Sequence, residues 1–168
     1  SLLNLNLHLF NASDVTMTGE SGIDILLGDA GATEAEMVFA GTTDIAIADG
    51  AMTSVSGGCT VNRTYNVFAL WPHMHQYATS QTVVHTRGTT VTTLHDQAYD
   101  FNEQRYYPMA QPMQWQAGDT VEVTCAYNNT SGGTLTFGDS SNSEMCFTGL
   151  YRYPASGSSF LFECVEGM

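Results

Sequence analysis

Two histidines one residue apart, His73 and His75 in the run Trp71-Pro72-His73-Met74-His75, have types and a spacing that suggest chemistry. On a β-strand positions i and i+2 share a face, so both imidazoles would aim at one point while Met74 turns away. Side-by-side imidazoles repel when protonated and are most simply explained by a shared cation. Further on, Ser143-Glu144-Met145-Cys146 offers a thioether, and imidazole with thioether suits Cu(I) better than zinc. Each residue also has an ordinary reading. A lone strand histidine is usually a hydrogen-bonded surface group, and Met145 is one of eight methionines, whose default role is filling the core.

The elements that must position these residues are strands. Leu3, Leu5, Leu7 and Leu9 alternate with polar or aromatic neighbours, the period-two signature of a half-buried strand. Short runs of the same kind are expected at 23–25, 44–47, 67–70, 82–86, 89–94, 120–127, 134–137, 146–153 and 159–165. Turn clusters separate them at 28–31, 56–58, 117–119 and 128–133. Only 33–40 has helical flavour. Many short strands at regular spacing predict an all-β fold, an antiparallel jelly-roll β-sandwich, with residues 1–168 as a single domain.

Composition narrows the partners. Four arginines and no lysine stand against 17 acidic residues, a formal charge of −13, which disfavours nucleic acid and anionic membrane surfaces. No apolar run approaches the roughly 20 residues of a membrane span. The N-terminus lacks the basic-then-apolar pattern of a signal peptide, so a mature secreted form or an excised domain is expected.

Cys59, Cys125, Cys146 and Cys164 form no C-x-x-C pair, and their even number reads most simply as two disulfides in a secreted, extracellular or periplasmic protein. Three pairings are open, and four buried free thiols are the alternative. Other candidates carry less. Met109 and Met113 more simply flank a turn at Pro112, and His85 and His95 read as surface residues beside a hairpin tipped by Arg87-Gly88. Asp96, Asp100, Glu103 and Asp139 lack the spacing of a calcium loop.

Several stretches together carry a family resemblance: Leu70 to His75, Asp100-Phe-Asn-Glu-Gln104, Gly118 to Asn128, Gly138 to Cys146 and Leu150-Tyr-Arg-Tyr-Pro154. The chain resembles, over nearly its whole length, the C-terminal domain of the ascorbate-dependent type II copper monooxygenases, which include peptidylglycine α-hydroxylating monooxygenase and dopamine β-monooxygenase. The resemblance implies that His73, His75 and Met145 bind the copper, cycling between Cu(I) and Cu(II), at which oxygen is activated and a substrate C–H bond is attacked. It further implies Cys59–Cys164 and Cys125–Cys146 disulfides, the family's jelly-roll sandwich, and ascorbate or another reductant as electron source.

Departures limit the transfer. The full enzymes pass electrons from a second copper held by three histidines, and here only His8 lies where one of those ligands sits. A second copper domain or an external donor is therefore the expected partner. In the peptide-hydroxylating branch an arginine precedes the first histidine by two residues, and an asparagine and a tyrosine follow the Met-Cys pair. Trp71, Phe147 and Gly149 stand in those places. The expected function is the oxygen-activating half of a copper monooxygenase; the alternative is a secreted single-copper module for delivery, storage or sensing, without turnover.

Overall fold

The computed structural model describes residues 11, 13–26, 28, 29, 31, 33–157 and 160–168. The chain divides into two units, Ser1–Ala30 and Gly31–Met168. The described residues of the first form no strand, and Val15, Met17, Ile23 and Leu26 are exposed. The strand expected at 23–25 is thus absent: three alternating residues without a partner strand leave the backbone bonds unmade. The expected strand over Leu3 to Leu9, and His8 with it, lies outside the described residues.

The second unit is all-β, with eleven strands and no helix among the described residues: β1 Glu36–Thr42, β2 Ala46–Ile47, β3 Met52–Thr60, β4 Tyr65–His73, β5 Ala78–Arg87, β6 Thr90–Ala98, β7 Tyr107–Trp115, β8 Thr120–Asn128, β9 Leu135–Thr136, β10 Cys146–Tyr153 and β11 Cys164–Glu166. A five-stranded sheet, in the order β11-β1-β10-β4-β7, packs on a four-stranded sheet, β3-β8-β5-β6, while β2 and β9 make a small ribbon. In β8 the alternation is clean: Val121, Val123, Cys125 and Tyr127 are buried, whereas Glu122 and Thr124 are not. The facing sheet contributes Val38, Ala40, Leu70 and Leu150 to the same core. Both disulfides run between the sheets, Cys59 of β3 to Cys164 of β11 and Cys125 of β8 to Cys146 of β10.

Three expectations are corrected. The helical flavour of 33–40 gives way to β1, whose Val38, Phe39 and Ala40 are all buried between neighbouring strands, so packing overrides local propensity. The cluster 56–58, expected to turn, runs mid-strand in β3. A Cβ on Gly58 would lie 2.0 Å from the Val121 carbonyl oxygen, and one on Gly57 would lie 2.5 Å from Thr42 Cβ, so these glycines permit close approach of backbones. Pro112 does not make a turn between strands either. It lies within β7, an edge strand, where a missing N–H is tolerated, and Met109 and Met113 pack against the core.

One irregularity positions everything that follows. In β4 the pairing with β10 goes from Val67↔Arg152 to Ala69↔Tyr151 and then Leu70↔Leu150, so β4 spends one extra residue near Phe68. Tyr65 and Val67 face inward before this bulge, and Leu70 and Pro72 face inward after it. The parity of the strand is inverted, and Trp71 and His73 emerge on the outer face.

Candidate metal centre

His73 ends β4, and His75 follows two residues later on the same side. Met74 between them is fully buried in the core, as period two requires. The Tyr99 hydroxyl fixes this peptide from both sides, accepting from the Met74 N–H at 3.1 Å and donating to the Met74 carbonyl at 2.7 Å. Its burial pushes the Tyr99 phenol up to about 12, so it keeps the proton that the second bond needs.

Both rings are oriented through Nδ1. In His73 this atom lies 2.8 Å from the Gln104 side-chain oxygen, and in His75 it lies 3.0 Å from the Ser143 carbonyl. Both partners are acceptors, so each Nδ1 carries the hydrogen and each Nε2 is left with a free lone pair, the form a metal requires. The rings meet edge to face with centroids 5.5 Å apart. Two imidazoles on one ion take a spacing of this size, since each ring centre then lies roughly 3 Å from the ion, given metal–nitrogen bonds of about 2 Å. Burial holds the His73 imidazole below its ordinary value, the Gln104 bond opposes that shift, and repulsion from His75 adds to it.

Met145 enters from the neighbouring strand. His73 pairs with Phe147 across β4 and β10, so the residues two places beyond each, His75 and Met145, leave that pair from the same face and the same end. Glu144 ties them together. One of its carboxylate oxygens accepts from the His75 N–H at 2.9 Å and from the Met145 N–H at 3.3 Å, and the other accepts from the Tyr77 N–H at 2.8 Å. Burial pushes this carboxyl up to about 7, against three amide bonds that pull it down. The Tyr127 hydroxyl donates to the Met145 carbonyl at 2.7 Å, and Cys146 anchors the next residue to β8.

Among the described residues, no group of three or more histidine, cysteine or acidic side chains converges to hold an ion. Beside His73 and His75, the thioether of Met145 offers a donor of another type. Two neutral imidazoles with a soft sulfur match copper, and Cu(I) in particular.

The loop after β6 walls this centre. Phe101 stands edge-on to His75 at 6.0 Å, and Gln104 holds His73. Behind the loop is a cavity of about 160 Å³, lined by Pro72, His95, Tyr99 and Tyr107 among others, which none of the three candidate ligands touches.

Two histidines expected at the surface are buried instead. His85 bonds Asp119 at 2.8 Å and stacks on Trp115, and His95 packs edge-on against Tyr107 at 4.6 Å. Each sits on the inner face of a strand whose Thr-rich sequence hides the alternation. Asp100 serves its own loop by accepting from Asn102.

Glu144, Tyr99, Tyr127 and Gln104 hold the centre, yet the sequence gives them no function. Only adjacency in the motifs hints at them: Glu144 precedes Met145, and Gln104 closes the Asp100–Gln104 run. The family model for the copper type II ascorbate-dependent monooxygenase C-terminal domain matches residues 29–166. A comparison with curated proteins returns no match.

Proposed function

Since this chain belongs to the copper type II ascorbate-dependent monooxygenases, as their C-terminal domain, we propose that His73, His75 and Met145 hold the single copper of its active site. The observation that carries this reading is the pair of Nε2 atoms freed by the Gln104 and Ser143 bonds, with the Met145 segment pinned beside them by Glu144. When bound, copper supplies the redox chemistry by which one oxygen atom of O2 enters a substrate C–H bond and the other leaves as water, consuming two electrons and two protons.

The chain's residues supply geometry. Gln104 and Ser143 fix the tautomer and plane of each imidazole, Tyr99 locks the peptide between them, and Glu144 with the Cys125–Cys146 disulfide holds the thioether strand at a constant distance. A three-ligand donor set with a weak thioether leaves room for oxygen. Ascorbate, directly or through a second copper domain, is the electron source, and the two disulfides suit a secreted protein.

Copper titration with X-ray absorption of the Cu(I) form tests the assignment. One equivalent should bind with a sulfur scatterer that Met145→Ala removes. Unchanged binding in a His73→Ala, His75→Ala double variant would overturn it. Ascorbate-driven oxygen consumption by the loaded protein, with and without added donor domain, tests turnover.

A further inference from the structure

The surface that adjoins the candidate copper ligands is aromatic and lacks a free cation. Trp71 and His73 share the outer face of the five-stranded sheet, with ring centroids 5.1 Å apart. Phe39 lies 6.0 Å from Trp71 and 6.5 Å from His73, and it packs in turn on Phe147 and Phe162. Leu161 continues the same apolar edge, with its carbonyl bonded to the Phe39 N–H. Between Phe39 and Trp71 the pairing residue of β10 is Gly149, where a Cβ would lie 3.2 Å from Met37 Sδ and 3.4 Å from Trp71 Cβ. That glycine leaves the indole room to lie against the sheet, partly exposed, beside the first ligand.

Charge decides what such a face accepts. The chain has no lysine, and every arginine is already in an ion pair: Arg63 and Arg152 with Glu36, Arg152 also with Glu163, Arg87 with Asp119, and Arg105 with Glu103. A substrate carboxylate laid on Trp71 would lose water and gain no partner, in the field of a chain of charge −13. An organic ammonium finds no carboxylate among the sheet's outward positions around His73, which are Phe39, Gly41, Phe147, Gly149 and Trp71, and the acids of the neighbouring loop are engaged, Asp100 with Asn102 and Glu103 with Arg105.

Resting on the metal assignment above, we propose that this site takes an uncharged, apolar substrate, docked against the Trp71 indole with its reacting C–H bond toward His73. Trp71 then determines specificity through contact and charge exclusion.

The test uses the copper-free protein and three probes of one size: benzyl alcohol, benzoate and benzylammonium. Two indole N–H resonances are expected, and Trp71→Phe assigns them. Trp115 is fully buried and serves as an internal control. Benzyl alcohol at millimolar concentration should shift the Trp71 signal and leave Trp115 in place. Benzoate and benzylammonium should bind roughly ten-fold more weakly, because burying an unpartnered charge is costly. Trp71→Arg, read by saturation transfer to the probe, should reverse the order in favour of benzoate. No shift of Trp71 with benzyl alcohol, or either ion binding as well as the alcohol, would overturn the proposal. A parallel copper titration separates the two readings: copper binding without a Trp71 shift rejects the substrate class alone, and a Trp71 shift without copper binding rejects the metal assignment.

Discussion

Glu144 holds His75 from behind: a carboxylate oxygen accepts the His75 amide N–H at 2.9 Å, and the same oxygen reaches the amide of Met145. A single fully buried acid thus fastens two candidate ligands that stand 70 positions apart in the sequence to one point.

Replacing that acid tests how far the centre depends on it. Glu144→Gln turns an acceptor of three amides into a group that presents an N–H to at least one of those donors. A loss of about 1–3 kcal/mol in unfolding free energy is expected from the unmet bonds. Copper affinity should fall roughly 10- to 100-fold, as for other groups that orient metal ligands. Chemical denaturation and a Cu(I) competition titration measure the two effects, and unchanged copper affinity would show that Met145 and His75 hold their places without it.

Gln104 acts on one ring only. Gln104→Leu removes the acceptor at His73 Nδ1 while keeping the size of the side chain, so the imidazole is freed to rotate and change tautomer. Copper affinity should drop about 10-fold with little change in stability. Ring-nitrogen NMR of the copper-free protein should show the His73 tautomer becoming mixed while that of His75 stays fixed.

The two disulfides differ in what they protect. In chain-entropy terms the 105-residue loop closed by Cys59–Cys164 stabilises by about 5 kcal/mol, and the 21-residue loop closed by Cys125–Cys146 by about 3 kcal/mol. Serine replacement of the first pair should therefore cost more stability. Replacement of the second should cost more copper affinity, because Cys146 adjoins Met145. Urea unfolding and copper titration of the two double variants should give opposite rankings; equal copper affinities would sever the link between this bridge and the ligand.

Acid sensitivity is expected far from the metal centre. The Arg87 guanidinium beside Asp119 holds that carboxyl well below the usual carboxylate range, helped by the Gln116 amide and His85 and opposed by burial. A carboxyl depressed in the folded state adds stability that is complete above its unfolded value, about 3.9, and is lost as pH falls through the folded value. Urea midpoints should thus fall from about pH 5 downward. Asp119→Asn should be less stable at pH 7 and show a shallower fall. Parallel profiles for the two proteins would show that Asp119 is not the group responsible.

Much of the architecture was legible because burial imposes a period. The run 120–127 alternates cleanly and became β8, and 146–153 became β10 with the expected limits. The alternation failed as a guide where both faces are covered, as in β1, or where glycines serve close packing, as in β3. His85 and His95 misled for a related reason: a polar side chain with a buried partner, or one wedged against a ring, has the same letter as one in water.

The sequence alone determined that His73 and His75 share a face, because i and i+2 do so in any strand, and that Met74 opposes them. It could not determine which face. The bulge near Phe68 decided that, since one inserted residue inverts the parity of everything after it. Nor could local pattern bring Met145 to His75. That meeting depends on the register of β10 against β4 and on a buried carboxylate bridging the two strand ends, contacts between residues distant in sequence that exist only once the sheets have packed.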